Sequence, residues 1–210
     1  MRLVLVGAGA FGRVVSSWVE LSPLFREQHE IDEVVFVDDS GQTEVSRIAV
    51  ISTVGDYVPS AEDRVICTIG SPLARRRVVE GLRSKGAQFI TFRDDRSLAG
   101  DNVVFGEGTV LCPGVVIQPD VVIGSHVHIG SNCTVGHDTR VGDFVSLSPL
   151  VNLMSTIEVG DCVFFGGSSI ILPKTNIGSE AVIGAGAVVV KDITLGDKVI
   201  GMPAKSMIQR

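Results

Sequence analysis

The sequence predicts an α/β, Rossmann-like unit over residues 1–95 followed by a parallel β-helix of about five coils over residues 96–210. Three observations carry this. The first half alternates short apolar strands with helical patterns. The second half repeats a large apolar residue every six positions without a slip. And the chain is 45% hydrophobic but only 5% aromatic, with 24 glycines, so its core is built from Val, Ile, Leu and Ala with many tight turns.

The first half is read in order. RLVLV is a strand, GAGAFG a turn, and FGRVVSSWVELS a helix with apolar spacing at Phe11, Val14, Val15, Trp18 and Val19. EVVFVDD is a second strand ending in Asp38 and Asp39, and DRVICTIG a third. SPLARRRVVEGLRSKG is a helix with Pro72 in its first turn and Gly86 at its end, and AQFITF is a closing strand. Strands separated by helices pair in parallel.

From Phe105 the residues at steps of six are Leu111, Ile117, Ile123, Ile129, Val135, Val141, Leu147, Leu153, Val159, Phe165, Ile171, Ile177, Ile183 and Val189. A glycine follows nine of these fifteen, and four positions after each comes a small or β-branched residue such as Val115, Cys133 or Thr139. Neither a helix nor a hairpin strand has that period. A β-helix does, with three hexads closing one triangular coil of about 18 residues.

Composition bounds the function. The formal net charge of -6 and the lack of a long basic stripe argue against a nucleic-acid partner. Cys67, Cys112, Cys133 and Cys162 lie among apolar residues with no C-x-x-C pair, which reads as reduced thiols in a cytoplasmic protein. No apolar run reaches the length of a membrane span. The opening MRLVLVGAGAFG resembles a weak signal peptide, but the alternation of strands and helices over the next eighty residues makes it a strand and turn.

Two motifs carry chemistry. Gly7, Gly9 and Gly12 form G-x-G-x-x-G between a strand and a helix, which lets backbone approach a phosphate at a helix N-terminus. Asp38 ends the next strand, where an acid often meets a ribose hydroxyl. The spacing also suits a dinucleotide, for which the unit is half the usual size, or a bare packing turn. The second motif is His137–Asp138. The slot two residues after each stacked aliphatic is mostly Pro, Ser, Asp or Gly, and His137 is its one imidazole. A packing tile needs none. An imidazole is a base that is largely neutral near pH 7, and a neighbouring carboxylate orients it for proton removal in reactions such as acyl transfer. The coil period places Ser155 one coil above His137, where a backbone N–H would meet the oxyanion of a tetrahedral intermediate.

The order VLVGAGAFGRVV, VDD, IGSPLARRR, GHDTRVGDF, AVIGAGAVVVKDI, GMPAK resembles the left-handed β-helix sugar acetyltransferases of the bacillosamine N-acetyltransferase type and the related sialic acid O-acetyltransferases. The resemblance covers nearly the whole chain. It implies His137 and Asp138 as catalytic, and Gly9, Asp38, Asp39 and Arg75 as contacts to a nucleotide-linked amino sugar. It implies acetyl-CoA as co-substrate, in a groove between subunits of a homotrimer lined by Ser155, Gly167, Ala185 and Lys205, with no metal. Two departures stand out. The family's second histidine, nine residues after the first and a positioner of substrate or of the CoA sulfur, is Ser146 here, which stands as the substrate-contact candidate in its place, and the HPSA junction is RDDRS at 93–97.

The expected reaction is N-acetylation of a UDP-linked amino-deoxy sugar. O-acetylation of sialic acid or another sugar hydroxyl uses the same base and donor. A non-catalytic nucleotide-sugar-binding β-helix is the reading from another class. His126 and His128 lack metal-site spacing and read as exposed positions. With no loop inserted between Phe105 and Val189, acceptor recognition falls on the N-terminal unit and a neighbouring subunit.

Overall fold

The computed structural model describes residues 1–207. They form two compact units, Met1–Asp95 and the chain from Arg96 onward. The first contains β1 (Arg2–Val6), α1 (Ala10–Glu20), α2 (Pro23–Gln28), β2 (Glu33–Val37), β3 (Glu44–Val45), β4 (Ile48–Ser52), β5 (Asp63–Cys67) and α3 (Pro72–Ser84). The sheet order is β3-β4-β2-β1-β5. β1 pairs in parallel with β2 and β5, and β2 with β4, while β3 and β4 form an antiparallel hairpin.

Several local readings change. The hairpin turns through Ser46 and Arg47 at φ 52° and 66°, a primed turn made without the Asn-Gly signal that usually announces one. AQFITF supplies a single parallel bridge to this sheet, Val65 to Phe89, and its last residue opens the two-residue strand Phe92–Arg93. Helix α1 buries Gly12, Val15, Ser16 and Val19, whereas Val14 is exposed. The helix lies so close to the preceding turn that a Cβ on Gly12 would collide with the Gly7 carbonyl oxygen. Small residues therefore take the sheet-facing side.

The second unit is a parallel β-solenoid of two-residue strands. Val116–Ile117 pairs with Thr134–Val135, which pairs with Asn152–Leu153, and so on at 18 residues per coil along three faces. The six-residue register already includes Leu98–Ala99, one hexad before Phe105. Ile117, Ile123, Ile129, Val135, Leu153 and Ile171 stack in one continuous core, joined by Val115, Cys133 and Val151 from the fourth following position.

The corners have a rule of their own. The third residue after each stacked aliphatic from Phe105 to Ile183 has positive φ, among them Asp120, His126, Asn132, Asp138, Phe144, Leu150, Thr156 and Lys174, all between 56° and 65°. Left-handed geometry here turns the chain by a fixed angle whatever the side chain. It also corrects the reading of His126 and His128. His126 is fully buried, with its ring stacked on Phe144 one coil further on, at 5.1 Å and 10°. His128 is buried in a row with Val110 and Ser146. After Val189 the register shifts: Lys198–Ile200 pairs with Val182–Ile183, then receives Lys205–Ser206 as an antiparallel strand.

Candidate active site

His137 stands on the corner that follows the face of Val116, Thr134 and Asn152. Its Nδ1 lies 2.7 Å from Asp138 Oδ2. Asp138 takes the left-handed corner position at φ 57°, which suits Asp better than most residues and turns its carboxylate back to the preceding ring. An ionised carboxylate only accepts, so in the neutral ring this contact places the proton on Nδ1 and leaves the Nε2 lone pair free. Both side chains are more than half exposed.

The ring looks onto an open cleft of 320 Å³ lined by Gln118, Thr134, Gly136, His137, Asn152 and Ser155, with Leu153 and Met154. Gly136 is its floor. A Cβ there would collide with the Met154 carbonyl and lie 2.8 Å from the Ser155 nitrogen. The coil above is locked in place: the Thr156 N–H donates to the His137 carbonyl at 2.9 Å. Among the described residues the Ser155 N–H has no acceptor, so it is available to the cleft. Below, the His137 N–H donates to Gln118 Oε1 at 3.0 Å. The cleft thus holds a base, an uncommitted backbone donor one coil above it and a carboxamide one coil below.

Other predicted residues lie elsewhere. Gly167 and Ala185 occupy a different edge of the prism, two residues after Phe165 and Ile183, and one chain does not bring them to His137. Ser146 lies on another face, buried beside its register partners His128 and Phe164. Lys205 lines a separate depression of 420 Å³ with Lys191, Asp192, Asp197 and Ser206. Among the described residues no group of three or more His, Cys, Asp or Glu could hold a metal ion, and no helix is long and apolar enough to cross a membrane.

In the first unit Gly9 is the N-cap of α1, with nothing near a notional Cβ, so the backbone is open to approach. Asp38 Oδ2 accepts from the Ala8 N–H at 2.8 Å and its Oδ1 from the Ser40 N–H at 2.8 Å. Burial opposes its charge, but hydrogen bonds from the Ser40 hydroxyl and from the N–H groups of Ala8 and Ser40 outweigh that and hold the carboxyl below its usual range. Asp38 therefore fixes the glycine turn first. Asp39 Oδ1 accepts from the Val54 N–H at 2.7 Å. Arg75 is completely buried and donates to the carbonyls of Ile69 and Gly70 at 2.8 and 3.3 Å. A ligand at this turn would meet the backbone that Arg75 shapes rather than its guanidinium. Gln118 is the cleft residue that sequence reasoning missed. Its signal was available: it is the one long polar side chain in a slot otherwise held by Gly, Cys, Ser, Met, Leu or Val.

A two-residue-strand solenoid with an outward imidazole–carboxylate pair on one corner defines an acyl-transfer scaffold. Comparison with known proteins agrees. Residues 2–82 match the PglD N-terminal domain family, and residues 100–137 the bacterial transferase hexapeptide family of six repeats. The chain superposes on the acetyltransferase domain of PglB from Neisseria gonorrhoeae FA1090, solved with acetyl coenzyme A, at TM-score 0.89 and 28% identity over 98% of both chains. WeeI from Acinetobacter baumannii AYE gives 0.88 and 27% over 99% of this chain and 100% of that one. PerB from Caulobacter crescentus, solved with CoA and GDP-perosamine, gives 0.86 and 25% over 99% and 98%. A putative acetyltransferase of Schizosaccharomyces pombe is 49% identical over 49 residues, a match spanning 23% of this chain and 24% of that protein. The chain is an acyltransferase that shares its two-part organisation, a PglD-like N-terminal domain followed by a hexapeptide-repeat β-helix, with these acetyltransferases.

Proposed function

We propose that the chain transfers the acetyl group of acetyl-CoA to the amino group of a nucleotide-linked amino-deoxy sugar, with His137 as general base. The observation that carries this is the His137–Asp138 contact, which leaves Nε2 as the free acceptor beside the unpaired Ser155 N–H. The acceptor nitrogen attacks the thioester carbonyl while Nε2 takes its proton. The oxyanion that forms accepts from the Ser155 N–H. Collapse breaks the C–S bond, and the departing sulfur takes the proton from the imidazolium, yielding amide and free CoA. Asp138 holds the tautomer throughout and stabilises the charged ring.

The neighbours solved with acetyl-CoA and with CoA plus GDP-perosamine support the donor and the acceptor class. The open glycine turn at Gly9, rimmed by Asp38 and Asp39, is the proposed nucleotide end. Gly167, Ala185 and Lys205 are proposed to line the CoA path. Because Gly167 and Ala185 occupy another edge than His137, a complete site calls for a second copy of the chain, and we assign the active assembly as a homotrimer.

Thiol release from acetyl-CoA, measured with UDP- and GDP-linked 4-amino sugars and with free sialic acid, tests the reading. Turnover with an amino-sugar nucleotide supports it, and His137→Ala should then lose roughly 10²- to 10⁴-fold in kcat while remaining folded. Turnover with sialic acid alone would replace the acceptor. A His137→Ala enzyme of unchanged rate would remove the base assignment.

A further inference from the structure

Gln118 is exposed, yet its carboxamide is not free to turn. Its oxygen accepts from the His137 N–H at 3.0 Å, and because that partner is a donor, the atom facing it must be the oxygen. The NH₂ is thereby directed away from the backbone, and among the described residues it has no acceptor. Gln118 lines the same cleft as His137 and Ser155. Along this corner the slot one residue after the stacked aliphatic reads Gly100, Gln118, Gly136, Met154, Leu172 and Val190. Gln118 and Met154 are two coils apart, about 10 Å, and form the walls of a notch whose floor is Gly136.

The two walls differ in chemistry, and the site has a direction. The uncommitted Ser155 N–H lies on the Met154 side, so the thioester carbonyl belongs there. The attacking nitrogen must approach that carbonyl from the opposite side, next to Gln118. From this we infer that Gln118 is a specificity-determining residue. It anchors the His137 backbone through its oxygen and, through its NH₂, donates a hydrogen bond to a ring hydroxyl of the acceptor sugar adjacent to the reacting amine. A donor suits a hydroxyl oxygen. It would be wasted on the amine itself, whose lone pair is needed for attack. The inference rests on the reading of the site as an N-acetyltransferase.

Three variants separate the roles. Gln118→Glu keeps an oxygen for the His137 N–H, removes the NH₂ donor and adds a negative charge beside the imidazole. Gln118→Gly restores the residue common in this slot and removes both contacts. Gln118→Asn keeps the carboxamide on a shorter arm. The readouts are KM for the amino-sugar nucleotide and for acetyl-CoA separately, kcat, and the pH dependence of kcat/KM. For Gln118→Glu we expect KM for the acceptor to rise about three- to tenfold, the value of one hydrogen bond, with KM for acetyl-CoA unchanged. The acid limb of the pH profile should move to higher pH, because the new carboxylate favours imidazolium. Gln118→Gly should show the same rise in acceptor KM together with a fall in kcat, and Gln118→Asn a smaller rise. An acceptor KM unchanged in both Gln118→Glu and Gln118→Gly, in a chain whose wild type turns over, overturns this role and leaves the proposed function standing. Equal changes in KM for both co-substrates also overturn it. No turnover by the wild type with any amino-sugar nucleotide removes the proposed function, and this role with it.

Discussion

At the scale of single residues, polar side chains in this molecule act mainly by fixing backbone. Asp38 holds the N–H groups of Ala8 and Ser40, Arg75 the carbonyls at its own helix start, and Gln118 the N–H of His137. Asp63 is the strongest case. Its buried carboxylate receives Arg2 Nε at 2.8 Å, the Tyr57 hydroxyl at 2.8 Å and the Ser60 N–H at 2.9 Å. Burial opposes its charge, but the Arg2 bond first, then the Ser60 and Tyr57 bonds, outweigh it and hold its pKa below the usual carboxylate range. A pKa lowered on folding contributes stability that is whole above the unfolded value of about 3.9 and is lost as pH falls through the folded one. Asp63→Asn should therefore cost about 2 kcal/mol at neutral pH. It should also flatten the loss of stability below about pH 4, both read from urea midpoints across pH. A neutral-pH midpoint equal to wild type would remove this account.

At the scale of elements, two kinds of information separate. The stack of aliphatics was legible because the stacked position itself tolerates no polar residue and no slip: Phe105 to Val189 can be counted off along the chain. The same register placed Ser155 above His137. The corners were not legible. Asp, His, Asn, Phe, Leu, Thr and Lys all take the left-handed position, so no residue type announces it, and the coil geometry imposes it against local preference. Likewise the resemblance singled out Arg75 from a run of three arginines as a ligand contact, and only the fold shows that it is buried against the carbonyls of Ile69 and Gly70. The hairpin at Ser46–Arg47 lacked its turn signal. Thr156 is the costliest of the corner choices, being β-branched at φ 59° and exposed. Thr156→Gly should raise stability by about 1 kcal/mol, seen as a higher unfolding midpoint. A lower midpoint would mean that the corner is not strained.

At the scale of the whole molecule, each solenoid coil offers its successor a row of unpaired N–H and C=O groups, and a parallel stack has no intrinsic length. Three coil edges at the C-terminal end are therefore ready to receive another chain. All three are answered from within: Ile193 bridges to Ile177, Gly201 and Ala204 hydrogen-bond the Val188 backbone, and Lys198–Ile200 covers Val182–Ile183 and is followed by Lys205–Ser206 running in the opposite sense. A coil added in the original direction meets strands it cannot continue in register. Removing residues 195–210 should leave the stacked core in place but make the protein associate end to end, detected as a concentration-dependent rise in mass by light scattering. A truncated protein of unchanged mass would show that the remaining corners suffice. In polymer terms, the C-terminal hairpin is a chain terminator, and it makes a repeat that could grow indefinitely into an object of one size.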